Sequence, residues 1–220
     1  QDDPTPAKNY LQQLVDRYPD NEVQPEGALR LGDLYMDDEA YQEAADAYQA
    51  AAESDAINDE LRAQARYGQS TALLNLGRND EARDLLNGIL EEGQGGPLQA
   101  SARLGLARIY EDEGRTDEAL KLYRTVVESA GSETGAEALF RLGRLLRQQD
   151  QPKQAIQELD RMSALFAGYP EWVARSLLEQ ARSYRGMGQT GQAAQLYDEI
   201  IETYGGTSYA ETAQQEREAL

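Results

Sequence analysis

The stretch GLARIYEDEGRTDEALKLYRTVVE, Gly105 to Glu128, decides the fold. Two runs with apolar residues at three- and four-residue spacing flank an acidic knot around Gly114, the pattern of two amphipathic helices joined by a turn. The knot could be a cation loop or a bend. A calcium loop needs oxygen ligands at alternate positions and a downstream glutamate at fixed spacing, which Asp112 to Glu118 do not supply. A bend needs only a glycine and residues that stop one helix and start the next, and Gly114 and Thr116 suit those roles.

Working outward, the same pattern recurs. Ala44, Ala82, Ala119, Ala155 and Ala193 each sit early in an apolar-periodic run, at spacings of 38, 37, 36 and 38 residues. Twelve residues before each alanine stands a small residue, Gly32, Ser70, Ala107, Gly143 or Ala181, as expected where two helix backbones approach closely. Nine before come Tyr35, Leu73, Tyr110, Leu146 and Tyr184, and four after come Tyr48, Leu86, Tyr123, Leu159 and Tyr197. These two columns change together, which predicts that they touch or share a packing layer. Ala51, Ile89, Val126, Met162 and Ile200, seven after, complete an apolar stripe. Asn79 and Thr116 are predicted helix N-caps, and Pro152 suits a first helical turn.

A repeat of this period cannot bury its apolar face alone, so its units stack. The predicted fold is an all-α solenoid of about twelve helices. Its parts are a half repeat at 5–19 (second helix only), repeats at 25–55, 60–92, 97–130, 134–167 and 170–204, and a capping or next first helix at 207–220. Those ends predict a piece of a longer repeat protein. The inter-unit segment EEGQGGP (91–97), with three glycines, is the predicted hinge.

Composition narrows the functions. The chain has 220 residues and 21 basic against 40 acidic side chains, a formal net charge of −19, which argues against nucleic acid or an anionic membrane as a broad partner. Lys8, Lys121 and Lys153 are its only lysines, so the surface is carboxylate-rich and almost free of ammonium groups, as in a halophile's protein or the product of a GC-rich genome. With neither cysteine nor histidine, disulfides, thiolate chemistry, imidazole bases and nearly all transition-metal sites are excluded. No nucleophile-and-base pair can be assembled and no phosphate-binding glycine loop is present, so neither catalysis nor a cofactor is expected. No apolar run approaches the ~18 residues of a membrane span.

The unit formed by Leu31, Gly32, Tyr35, Ala44 and Tyr48 resembles the tetratricopeptide repeat, with pattern L-G-x₂-Y followed by A-x₃-F/Y. The resemblance extends over nearly the whole chain. These units run longer than the usual 34 residues of the family, and the second departs furthest, with Ser70 and Leu73 in place of glycine and tyrosine. DRYPDNEVQPEGALRLGDLY, residues 16–35, is more loosely similar to long-repeat modules of bacterial cell-envelope proteins such as the TolA-binding protein and outer-membrane assembly lipoproteins. Periplasm and cytoplasm both remain open.

The resemblance implies a right-handed superhelical, non-enzymatic array that binds a peptide or helix of another protein in a concave groove lined by first helices. Positions fifteen, eleven and eight before each alanine form the stripe that would line it. Fifteen before are Leu29, Tyr67, Leu104, Phe140 and Leu178; the other two columns hold Asp33, Thr71, Met36 and Leu74 early, then Arg108, Glu111, Arg144, Arg147, Arg182 and Arg185. A strip of Arg108, Arg144, Arg147, Arg182 and Arg185 beside Leu104, Phe140 and Leu178 would suit acidic side chains or a carboxylate terminus. The alternative is that each arginine pairs with an acid of a neighbouring unit. A further expectation is a structural spacer that self-associates end to end through Leu11, Leu14 and Val15.

Overall fold

The computed structural model describes residues 5–18, 21–93 and 96–220. Among them it is built of helices and turns: α1 (Thr5–Arg17), α2 (Gln24–Asp37), α3 (Tyr41–Glu53), α4 (Asp59–Asn75), α5 (Asn79–Glu91), α6 (Gly96–Asp112), α7 (Thr116–Ser129), α8 (Glu133–Gln148), α9 (Pro152–Leu159), α10 (Met162–Leu165), α11 (Pro170–Gly186), α12 (Thr190–Thr203) and α13 (Ser208–Glu218). The short α10 continues α9 after a break at Asp160 and Arg161, so the segments amount to twelve helices and one interruption. Two compact units divide the chain, residues 1–109 and 110–220. Pro19 and residues 94–95 of the segment expected to hinge lie outside the described residues.

The alanine phase is the organising feature. Ala44, Ala82, Ala119, Ala155 and Ala193 are all 0 % exposed, and the columns four and seven residues further on are buried as well. An alanine there lets two helix backbones approach without a cavity or a clash. The side chain four after the anchor sits over the small residue twelve before it: a Cβ on Gly32 would lie 2.6 Å from the Tyr48 ring, and one on Gly143 would lie 2.3 Å from Leu159. The tyrosine four after the anchor is therefore matched to a glycine or alanine as well as to another tyrosine. In the last hairpin the expected shared layer is seen directly, with Tyr184 packed on the cluster that holds Tyr197, Ala181 and Ala193.

Each hairpin turns in the same way. The residue five before the anchor, Glu39, Gly77, Gly114, Asp150 or Gly188, has positive φ. The next backbone N–H donates to a carbonyl in the last turn of the preceding helix: Ala40 to Tyr35 at 2.9 Å, Arg78 to Leu73 at 2.9 Å, Arg115 to Tyr110 at 2.8 Å, Gln151 to Leu146 at 3.0 Å and Gln189 to Tyr184 at 2.9 Å. That is the Schellman closure, which satisfies carbonyls left over at a helix end. Gly114 is thus a bend, and three of the acids around it are paired with other side chains: Glu113 and Glu118 with Arg115, and Glu111 with Tyr123 and Arg144.

Helix starts differ from expectation in one detail. Asn79 and Thr116 are the first helical residues, and the cap positions belong to Arg78 and Arg115, which make no side-chain cap. Each arginine instead pairs with the glutamate three residues on, Glu81 at 2.6 Å and Glu118 at 3.0 Å. Side-chain capping occurs at Asn58 and Thr207, and Pro152 does open α9.

Leu11 and Leu14 face α2: a Cβ on Gly27 would meet both. Val15 packs on the cluster of Ala28, Ala51, Ala52, Ile57 and Ala65. These three residues, expected to mediate end-to-end association, each make contacts inside the first unit and are partly buried. What α1 presents outward is Tyr10, 73 % exposed, with polar neighbours.

Candidate functional site

In the first unit, α2 and α4 part to form an open cleft of about 800 Å³. Its floor and walls come from Leu29, Met36, Tyr48, Tyr67, Gly68 and Thr71, and its charged lining from Glu26, Arg30 and Asp33. Leu29, Asp33, Met36, Tyr67 and Thr71 all stand at the phases read from the sequence as the inner stripe. Gly68 makes the cleft possible. A Cβ there would lie 2.7 Å from the Tyr48 ring, so Tyr48 is held between the glycines of two successive first helices.

The Tyr48 hydroxyl donates to the Asp33 carboxylate at 2.6 Å. Burial first, and then donation to Asp33 and its negative charge, hold the phenol far above its ordinary pKa, so it remains a donor. Asp33 is exposed toward the cleft side of α2, and among the described residues it makes no ion pair; nor does Arg30.

The second unit carries a different inner face. Glu111 accepts from the Tyr123 hydroxyl at 2.5 Å and pairs with Arg144 at 2.7 Å, with Arg141 at 3.9 Å. Glu179, 3 % exposed at its side chain, is shared by Arg147 at 2.7 Å and Arg182 at 2.6 Å. Arg182 continues to Glu216 at 2.6 Å, and Arg185 reaches the same carboxylate at 3.6 Å. Tyr197 donates to Glu216 at 2.8 Å. The result is a ladder of three carboxylates and five arginines along α6, α8, α11 and α13.

Electrostatics follow from the pairing. Burial works to raise the Glu216 pKa, but hydrogen bonds from Arg182 and Tyr197 and the charges of Arg182 and Arg185 bring it below the ordinary carboxylate value. Burial and donation to Glu216 push Tyr197 up to about 12. Arg182 is raised chiefly by its bond to Glu216.

Of the residues expected to hold a guest, Arg144, Arg147, Arg182 and Arg185 thus already have acids of this chain as partners. Arg108 is exposed in the first unit and makes no ion pair among the described residues. Leu104 and Leu178 are each 6 % exposed, core side chains with almost no surface for a ligand. Phe140 remains half-buried, 5.6 Å from Trp172 and beneath the Arg144 guanidinium at 5.7 Å. The column that decides these arrangements lies fourteen before the anchor: Arg30, Gly68, Gly105, Arg141 and Glu179. It mixes glycine with charge, so it gives no periodic signal. Among the described residues no group of three or more metal-ligating side chains is poised to hold an ion, and no helix is long and apolar enough to cross a membrane.

An all-helical stack of hairpins with alanine-phased contacts defines a helical-repeat protein. Family models described as "Tetratricopeptide repeat" match residues 1–58, 29–97, 67–134 and 104–170, and a second match covers 175–207. The chain belongs to the tetratricopeptide repeat family. No curated protein matches its sequence. Solved structures similar in fold include BtubC from P. vanneervenii (17% identity, TM-score 0.72, covering 92% of this chain and 90% of that one). Pseudomonas aeruginosa pilF is another (18%, 0.68, 96% and 89%). A third is YrrB, described as a TPR protein with an unusual peptide-binding site (17%, 0.61, 94% and 99%). At these identities the likeness concerns the fold alone.

Proposed function

We propose that this chain is a non-enzymatic scaffold that holds a short segment of another protein against its first helices. The observation that carries the reading is the cleft between α2 and α4, of the size of sites that enclose a few side chains, with apolar walls and a few convergent polar groups. The peptide-binding site named for YrrB, a protein of the same fold, agrees with it. The absence of histidine and cysteine from the sequence agrees with binding without chemistry.

The test is selection of twelve-residue peptides from a random display library on the whole chain, followed by calorimetry on the enriched sequences. Binders that lose at least tenfold in affinity on Leu29→Asp or Met36→Asp support the reading. Failure to enrich any peptide, or binding indifferent to both substitutions, overturns it.

The arginine face of the second unit offers an acidic guest less. Such a guest would have to displace Glu111, Glu179 and Glu216 from pairs of 2.6–2.7 Å, and each displaced carboxylate would then need a new partner. The spacer reading, within a larger envelope-associated protein, draws support from Tyr10, exposed on α1, and Tyr18, exposed just beyond it. It predicts a concentration-dependent mass in sedimentation that Tyr10→Ser abolishes, and a single monomer at all concentrations would remove it.

A further inference from the structure

The two units contain related arrangements of tyrosine, carboxylate and next first helix, with the carboxylate one helical turn apart in register, eleven before the anchor at Asp33 and eight before it at Glu111, and they differ in where the cation comes from. In the second unit Tyr123, four after its anchor, donates to Glu111 on the preceding first helix. Two arginines of the next first helix, Arg141 and Arg144, fourteen and eleven before Ala155, face that carboxylate at 3.9 and 2.7 Å. In the first unit Tyr48, four after its anchor, donates to Asp33 on the preceding first helix. The positions fourteen and eleven before Ala82 are Gly68 and Thr71, and both line the cleft together with Asp33. Neither can neutralise a carboxylate.

We propose that the cleft between α2 and α4 takes an arginine side chain of the partner segment, flanked by an aliphatic residue, so that the guest's guanidinium does for Asp33 what Arg144 does for Glu111. This deepens the scaffold reading and rests on it. Three features select this occupant. Asp33 and Glu26 outnumber Arg30 in the lining, so the cleft favours a cation. The Tyr48 hydroxyl occupies one oxygen of Asp33 and leaves the second to accept from a guest N–H, as Glu111 accepts from Tyr123 with one oxygen and from Arg144 with the other. Tyr67 and Leu29 supply an aromatic face and an apolar wall on which the guanidinium and its neighbour can lie, as Arg144 lies over Phe140 at 5.7 Å in the second unit. An acidic guest would meet Asp33 and Glu26 directly and be repelled.

The experiment is a titration of the ¹⁵N-labelled whole chain with N-acetyl-leucyl-arginine amide, read by amide chemical shifts. The neutral isostere with citrulline and the acidic analogue with glutamate serve as comparators. Saturable shifts confined to the amides of α2 and α4 are expected with the arginine probe, with affinity at least about tenfold lower for citrulline. Asp33→Asn keeps an acceptor for Tyr48 and is expected to reduce the arginine probe to the level of citrulline. Thr71→Arg supplies the cation from within the chain and is expected to abolish probe binding while leaving the helical spectrum unchanged. Equal binding of citrulline or glutamate, shifts that map away from the cleft, or none that saturate would overturn the assignment. The scaffold reading has its own fate: it survives those results if library peptides still bind through Leu29 and Met36, and it falls only if no peptide does.

Discussion

The inner faces of the two units are built on the same hairpin and differ by a handful of side chains. Around Asp33 the next first helix offers Gly68 and Thr71, and a cleft opens; around Glu111 it offers Arg141 and Arg144, and guanidinium groups take up the equivalent positions. The buried columns hardly change between them, since the anchors, the small residues opposite and the aromatic or aliphatic partners are core in both. Repeat architecture separates the two tasks physically: one phase of the helix fixes stacking, and another, facing away from the core, is free to be either a pocket or an ion network.

The difference can be broken first where it is most deeply buried. Glu179→Gln leaves Arg147 and Arg182 without their shared charge and is expected to cost about 2–3 kcal/mol in urea unfolding. That is near the lower end for a buried pair, because the arginines are about 30 % exposed. Next comes the glycine that opens the cleft: Gly68→Ala drives a methyl into the Tyr48 ring and is expected to cost about 1–3 kcal/mol, while Gly88→Ala, with nothing within 4 Å, should be harmless or mildly stabilising in its helix. A loss at Gly68 no larger than at Gly88 would show that Tyr48 is not packed as described.

Acid sharpens the contrast. Glu216 has a folded pKa below its unfolded value, so its pairs with Arg182 and Arg185 add stability that is present above the unfolded pKa of about 4.3 and lost as pH falls through the folded value. Glu216→Gln is expected to flatten the acid limb of the stability curve below about pH 5, and an unchanged limb would remove the ladder's role. The smallest effect concerns the turns, where Glu39 and Asp150 hold positive φ in positions that glycine fills in the other hairpins. Glu39→Gly is expected to raise stability by up to about 1 kcal/mol and Gly114→Ala to lower it by about as much or slightly more, read by thermal unfolding.

Much of the fold was legible because it rests on side-chain size at a fixed period. Five alanines and the small residues twelve before them specify close backbone contacts, and glycine or a polar residue five before specifies each turn. The inner stripe was legible for the same reason, and Leu29, Asp33, Met36, Tyr67 and Thr71 line the cleft at the phases expected of it. The ladder's partners were not. Arg144 and Glu111 are 33 residues apart, and Arg182 and Glu216 are 34, so their pairing depends on which way long side chains lean between stacked helices. Leu104 and Leu178 carried the same hydrophobic signal as Leu29 and Tyr67, yet the first two are core and the others only partly buried, because a helix stripe at the edge of the core can be covered by neighbours that periodicity does not reveal.

The most direct measurement is a double-mutant cycle of Asp33→Asn and Thr71→Arg followed by denaturant unfolding. If an arginine at position 71 can reach Asp33 across the cleft, Thr71→Arg stabilises the chain in the presence of Asp33, and most of that gain disappears in the Asp33→Asn background, a coupling of about 1 kcal/mol. An identical effect of Thr71→Arg in both backgrounds would contradict the account of Asp33 as a carboxylate that a cation from the cleft can neutralise.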